Sequence, residues 1–327
     1  MLIHLPHERA ERPFPNRRPG RHGRSRLARS LATAGLFLLT ATAAFAQLED
    51  VKIEAESVGE GLWVLFGAGG NMGASIGDDG TFLIDDQFPP LTERILAKLV
   101  ELGSDGTPRF VLNTHFHGDH VGGNVNLAEL GSIIVAHETT RATMMVETFN
   151  EAWEQIRQPV PNQGWPILTF TEGMTFHLNG DDVHVFHVDP AHTAGDCVVH
   201  FRNANVIHAG DLFFAGKYPL IDTGVGGHAD GVLAACERIL ELSDEDTVII
   251  PGHGPVSNAA GLREYMDVLG RITERIRTAI AEGRSLEEIQ AAKPTAEWDE
   301  SWGTGFIDPP TLVFMVHRGL TKDAEAN

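Results

Sequence analysis

Twelve consecutive residues constrain this chain more than any other feature: Asn113-Thr114-His115-Phe116-His117-Gly118-Asp119-His120-Val121-Gly122-Gly123-Asn124. Four metal-capable side chains, His115, His117, Asp119 and His120, fall within six positions. They follow Phe110-Val111-Leu112, an apolar run that reads as a buried strand. At a strand's end alternate residues point the same way, so His115 and His117 can face one point. The chain then turns into helical residues, and Asp119 and His120 can face a second point a few ångströms away. Gly118 is read as giving that turn its freedom. Imidazole and carboxylate are ligands that zinc accepts in tetrahedral or five-coordinate sets. A polar loop with coincidental histidines is the bland alternative.

Three later segments weigh against coincidence. Pro190-Ala191-His192-Thr193-Ala194-Gly195-Asp196 puts a histidine in a loop between strands. His208-Ala209-Gly210-Asp211 puts a carboxylate just past a strand, and Pro251-Gly252-His253-Gly254-Pro255 puts a histidine in a Gly/Pro loop after another. Each lies at an expected strand end, where α/β architectures place their sites. Other histidines, His177, His184, His187, His200 and His208, sit in or beside strands and fit no ligand position. His137, His228 and His317 are read the same way.

Around these segments the chain alternates short apolar runs with turn signals. Residues 62–66 read as a strand, and residues 74–76 and 81–84 as a hairpin around Asp78-Asp79-Gly80. Residues 91–102 have helical periodicity. A second set of strands covers 175–178, 183–188, 197–201, 206–208 and 247–250. Apolar spacing predicts helices over 232–242 and 262–280, and Ser285-x-x-Glu288 is a capping box opening one more. Two strand-rich halves, each with helices, point to an α/β (α+β) fold, an αββα sandwich of two mixed sheets with helices outside.

These segments resemble the metallo-β-lactamase superfamily, with its His-x-His-x-Asp-His motif and its later His, Asp and His, in the same order from Leu62 to Pro255. The stretch at residues 81–86 resembles the family's early strand ending in a buried aspartate; Asp85 fits that place best, with Asp86 the other candidate. The resemblance implies that His115, His117 and His192 hold one metal and Asp119, His120 and His253 the other, with Asp211 bridging. Asp85 would orient the His-x-His loop. Two zinc ions per chain are the expected cofactors, iron or manganese being compatible with the same donors. Their shared hydroxide would attack a carbonyl or phosphoryl centre, and Asp119 would steer it or pass a proton to the leaving group.

The family spans several chemistries, so ligands alone do not give the substrate. The best-known zinc β-lactamases usually carry Cys where this chain has Asp211; a bridging Asp is the pattern of the wider hydrolase group and of glyoxalase II. Lys217 and Tyr218 are candidate substrate contacts, Lys217 as an anchor for a carboxylate. Trp63, Phe66, Met72 and residues 153–165 are candidates for an apolar wall over the metals. The leading reading is hydrolysis of a small cyclic amide or ester, β-lactams first. A thioesterase or phosphodiesterase with the same metals is the alternative, and a non-catalytic metal-binding domain the third reading. The complete ligand set argues against the last.

The chain's 327 residues are 42% apolar and 21% charged, which predicts a packed core. Its first 46 residues stand apart. Eight Arg precede an apolar stretch at 31–46 that ends in Ala44-Phe45-Ala46, the layout of a secretory signal peptide and too short to span a bilayer. Residues 47–327 would then form the hydrolase domain, with C-terminal helices from about residue 261, in the periplasm or secreted. Of 25 basic and 45 acidic side chains, eight and two lie in residues 1–46, which leaves 17 and 43 and a formal charge of −26. Such a surface repels phosphate backbones and excludes nucleic acid as a partner. A small-molecule substrate and no stable membrane insertion after processing are expected; the oligomeric state stays open. Cys197 and Cys236 are compatible with a disulfide or with two buried thiols. N-terminal sequencing of protein expressed in a Gram-negative host should find a mature start at or near Gln47; a soluble cytosolic product with residues 1–46 intact would refute the export reading.

Overall fold

The computed structural model describes residues 48–326; the signal peptide expected over residues 1–46 lies outside them. The first sheet opens with strands β1 (Glu54–Gly59), β2 (Leu62–Phe66), β3 (Met72–Gly77) and β4 (Gly80–Ile84). A helix, α1 (Thr92–Glu101), leads to β5 (Phe110–Asn113). Two short helices, α2 (Gly118–Val121) and α3 (Asn124–Glu129), precede β6 (Ile133–His137), followed by α4 (Glu138–Met144). Next come a separate hairpin, β7 (Thr148–Asn150) and β8 (Gln155–Arg157), and the last strand of this sheet, β9 (Leu168–Phe170). The sheet is antiparallel from β1 to β4 and parallel from β4 through β5 and β6 to β9.

The second sheet comprises β10 (Gly173–Leu178), β11 (Asp181–His187), β12 (Cys197–Phe201) and β13 (Val206–Phe214). After α5 (Ala229–Glu241) it adds β14 (Val248–His253), parallel to β13, and β15 (Ser257–Asn258). The chain closes with α6 (Ala259–Ala281), α7 (Leu286–Ala291), α8 (Asp299–Trp302) and α9 (Pro309–Ala326). The capping box at Ser285 and Glu288 is formed in both directions.

Alternation along the strands builds the layers. Phe82 and Ile84 of β4, Leu112 of β5 and Val135 of β6 face the second sheet, where they meet Val185, Val199 and Phe201. Their neighbours Leu83, Val111 and Ile134 face the other way, onto Ile95 and Leu99 of α1. In the second sheet Val198, Ile207 and Ile249 likewise turn outward, against Val232 and Ile239 of α5 and Leu269 and Ile272 of α6. A one-residue slip in any strand would exchange its inner and outer sets, so the register is fixed by both layers at once. The result is an αββα sandwich.

Several local expectations change. The strand expected at 206–208 runs on to Phe214, because Gly210 takes φ +54 and the pairing with β14 slips there rather than ending. Asp211 therefore lies inside the strand, and His253 is the last residue of β14 rather than part of a loop. Cys197 and Cys236 are free and buried in different clusters, so they do not pair. Met72 and Trp63 pack on the outer face of the first sheet and form no wall over the site. No helix among the described residues is long and apolar enough to cross a membrane.

Phe82 is the pivot of the inner layer, with its ring 4.8 Å from Phe176 and 6.5 Å from Phe201. Phe82→Ala should cost about 3–5 kcal/mol, the usual cost of an aromatic cavity in a core. Chemical unfolding would show it as a lower midpoint with little change in slope.

Candidate metal centre

The strand ends converge where the sequence motifs predict. His115 and His117 leave β5 on the loop before α2, Asp119 and His120 occupy α2, and His192 comes from the loop between β11 and β12. Asp211 and His253 arrive on the neighbouring strands β13 and β14. The donor atoms fall into two groups, His115, His117, His192 and Asp211 in one, Asp119, His120 and His253 in the other, each within 4.8 Å. Asp211 lies between them. Its Oδ2 is 3.7 Å from His115 Nε2, 3.5 Å from His192 Nε2 and 3.4 Å from His253 Nε2; its Oδ1 is 3.1 Å from His120 Nε2. Asp119 Oδ2 stands 3.6 Å from His120 Nε2 and 3.4 Å from His253 Nε2.

Four of the five rings, those of His115, His117, His120 and His192, are oriented by a bond on the far side. His120 Nδ1 donates to Asp85 Oδ2 at 2.7 Å. His192 Nδ1 donates to the Leu220 carbonyl at 2.7 Å. His117 Nε2 donates to Asp222 Oδ2 at 2.9 Å, and Arg157 donates to the same oxygen. Thr114 Oγ1 gives its proton to Asp85 Oδ2 and so accepts from His115 Nδ1 at 3.0 Å. The opposite nitrogens therefore point into the centre, those of His115, His117 and His192 as acceptors. His117 Nδ1 and His192 Nε2 face each other across only 2.9 Å. His115 Nε2, His120 Nε2 and Asp211 Oδ1 are buried with no hydrogen-bond partner. Converging imidazole and carboxylate groups, most of the rings anchored by an N–H behind them, are what a cation site requires. The donors fit metal ions.

Electrostatics separates the two groups. Burial, helped by His120, holds the His115 imidazole well below its usual range. Burial pulls His117 down to about 4 against the pull of Asp222. Both are neutral at pH 7, ready to ligate. For His253 burial acts downward too, but Asp211 and Asp119 outweigh it and raise the ring to about 9. His120 is also raised, since Asp211, Asp119 and Asp85 overcome its burial. Burial pushes the Asp119 and Asp211 carboxyls up, but the facing imidazoles hold both below the usual carboxylate range.

The loop after β2 presses on this centre as bare backbone. A Cβ on Gly69 would lie 2.6 Å from Asp119 Cβ, and one on Gly70 would overlap the His120 ring. Gly118, by contrast, has no atom within 4 Å of an added Cβ and no positive φ; it is the first residue of α2, so the turn does not need its freedom. Beside the loop opens a cavity of about 680 Å³, bordered by Phe66, Asn71, Asp119, Lys217, His253 and Phe306.

Of the two expected substrate contacts, Lys217 borders this cavity. Tyr218 does not. It is buried under the C-terminal helices, where its hydroxyl donates to Asp299 at 2.9 Å, because the chain turns after β13 and carries the ring into the core. Asp85 and Asp86 also divide. Asp85 reaches Thr114 and His120, whereas Asp86 accepts from the Gly123 backbone. The residues missed from the sequence are Asp222, Arg157 and Phe306. None carries a motif signal; Asp222 lies 105 positions from the histidine it holds. His208 stays in the scaffold, its Nε2 3.2 Å from the Asn71 carbonyl, and burial pulls it down to about 4.

Two face-to-face mixed sheets with paired His/Asp donor groups at their strand ends define a metal-binding αββα protein. The family model for the metallo-β-lactamase superfamily matches residues 67–253, more than half of the chain, and the chain belongs to that superfamily. The acyl-coenzyme A thioesterase MBLAC2 of Homo sapiens is 28% identical over 164 residues, covering 45% of this chain and 56% of that protein. The chain thus matches little more than half the length of that relative. The hydroxyacylglutathione hydrolase of Gloeobacter violaceus is 24% identical, covering 75% of this chain and 95% of that protein. Among solved structures, the DIM-1 metallo-β-lactamase superposes with a TM-score of 0.55 at 19% identity, covering 68% of this chain and 99% of the other. At that identity the likeness is one of fold.

The glycine contacts make a paired prediction. Gly70→Ala should force the loop or the His120 ring to move and lower the metal content per folded chain. Gly118→Ala, inside the histidine motif itself, should leave metal content near that of the parent. Elemental analysis of both purified variants checks this, and equal loss from both would contradict it.

Proposed function

We propose that the protein is an exported dinuclear metal hydrolase acting on a small, singly anionic cyclic amide or ester, with β-lactams as the leading substrates. The observation that carries the reading is Asp211, whose two oxygens face both donor groups beside a cavity bordered by Lys217. Two bound ions, zinc first and iron or manganese as harder substitutes, supply Lewis acidity and a hydroxide at neutral pH. Asp119, whose side chain is about a quarter exposed and borders the cavity, is placed to hand a proton to a leaving group there. The Lys217 ammonium would hold the substrate's carboxylate. Export rests on the pattern of residues 1–46.

A thioester substrate is the second reading, favoured by the names of the two curated relatives and by Asp211 itself. Against a coenzyme A ester stands the charge of the cavity, where Glu56 and Asp119 accompany Lys217. Several phosphates need more cations than that. A hydrolysis panel of nitrocefin, a carbapenem, an acyl-homoserine lactone, a thioester and bis(p-nitrophenyl) phosphate decides between the classes. Turnover of the thioester alone would replace the leading reading with the second.

Metal uptake should come in two stages. About two ions per chain are expected by elemental analysis, and a ratio at or below one after zinc reconstitution would sink the dinuclear reading. Ions entering the group around His115 and His117 meet neutral rings. Ions entering the other group must displace a proton from His253 at any pH below about 9. The second affinity should therefore rise with pH, by roughly tenfold per unit for each proton released, up to that value. Competition with a chelator between pH 6 and 8 measures it.

Asp119→Asn keeps size and one oxygen but removes the charge. It should lower kcat by roughly 10²-fold or more on whichever substrate the panel identifies. His208→Asn should cost stability and leave both ions in place. Near-full activity of Asp119→Asn with two ions bound would remove its assigned role.

A further inference from the structure

We infer that Phe306 is a specificity-determining residue of this site, selecting substrates that join an aromatic or bulky apolar acyl group to a single carboxylate. The inference rests on the hydrolase reading above and narrows its substrate class. Phe306 lies in the segment between α8 and α9, outside residues 67–253 matched by the family model. Its ring is 53% exposed, although neighbouring Ile307 is fully buried. It stands 5.5 Å from the His253 ring and 6.0 Å from Phe214, over the edge of the metal centre. The same segment lies against Lys217, since a Cβ on Gly305 would fall 3.6 Å from Lys217 Cδ. The ring of Phe306 and the Lys217 side chain that packs on this segment thus border the same cavity.

The other wall supplies little apolar surface beyond Phe66. Between Phe66 and Asn71 the loop carries no side chain larger than a methyl, and its glycines are pressed onto Asp119 and His120. Phe66 and Phe306 are therefore the only aromatic side chains among the residues bordering the cavity. A large ring left half in water at the mouth of an acidic site loses hydration cost when a substrate's apolar group covers it. The charge pattern limits the rest of the ligand. One Lys against Glu56 and Asp119 accommodates one carboxylate and disfavours a polyanion.

The test compares benzylpenicillin, which carries a phenylacetyl group, with 6-aminopenicillanic acid, which lacks it. In Phe306→Ala the ratio of kcat/KM between them should fall about tenfold or more, mainly through KM, the scale of a lost apolar contact in a binding site. Phe306→Leu, which keeps an apolar side chain, should fall between. An unchanged ratio, or an equal loss on both substrates through kcat, would overturn the inference and leave Phe306 as mere support for His253. If the parent cleaves neither penicillin, the β-lactam reading fails separately, and the same ratio is taken with the phenylacetyl and acetyl thioesters of mercaptoacetic acid. A readout without turnover uses 3-phenylpropionate. The protein as purified should broaden its aromatic NMR lines, and both Phe306→Ala and Lys217→Ala should abolish the broadening. Broadening that survives Phe306→Ala, or none with the parent, counts against it.

Discussion

The carboxylate of Asp85 is the interaction on which the metal centre hangs. It is fully buried and accepts three bonds, from the Thr114 backbone and hydroxyl and from His120 Nδ1. A buried anion is tolerated only when its oxygens are so occupied. Those three donors span the His-x-His-x-Asp-His segment, so one side chain at the end of β4 sets the start of that segment and the ring near its end. Asp85 takes φ +60, a left-handed conformation that costs of order 1–3 kcal/mol for a non-glycine residue. Its own N–H bonds the Leu112 carbonyl of the adjacent strand, so the strain is held between two fixed neighbours. Thr114 in turn accepts from the Cys197 backbone of the second sheet. The link therefore runs from the first sheet through the motif into the second.

What the sequence reveals follows from what is local. Continuous apolar runs at residues 62–66, 82–84 and 110–112 mark strands covered on both faces, the 3.6 periodicity of 262–280 marks an amphipathic helix, and each of these elements forms close to where its pattern lies. The donors were legible because His-x-His-x-Asp-His is compact and its partners sit beside Gly and Pro. Asp222, Arg157 and Phe306 were not, since each acts through a distance in sequence that only the packed sandwich closes. Tyr218 misled for a related reason. It adjoins Lys217 in the chain, but the turn after β13 sends the two side chains to different places, and its ring went into the core. Asp211 shows the limit of a turn signal, because Gly210 bends the strand without ending it.

The two donor groups differ in what holds them when no cation does. His115 and His117 are kept neutral by burial and by anchors on their far sides, so their geometry persists with acceptors facing one another. His120 and His253 instead share protons with Asp119 and Asp211. In that group the attraction between imidazoles and carboxylates favours the protonated rings, so a proton must leave before an ion enters. The bridging carboxylate belongs to both regimes. This asymmetry arises from burial, which dominates at His115 and His117, and from the carboxylates Asp211, Asp119 and Asp85 around His120 and His253.

The hairpin of β7 and β8 ties the neutral group to the far end of the chain. Arg157, at the end of β8, lies over the Phe116 ring with its guanidinium 5.7 Å from the centroid and bonds Asp222, which holds His117. Glu151, at the hairpin's turn, pairs with Arg318 at 3.3 Å and Lys322 at 3.0 Å on α9. Lys322 also donates to the Thr223 carbonyl, next to Asp222. Burial alone would raise the Glu151 carboxyl, yet Thr223, Lys322 and Arg318 hold it below its usual value, so the ion pairs outweigh desolvation there. The C-terminal helix thus braces the loop that carries Asp222 from one side while the hairpin braces it from the other. Because a ring set off by even a fraction of an ångström would bind an ion less well, residues beyond the family-matched region help set the position of the His117 ring.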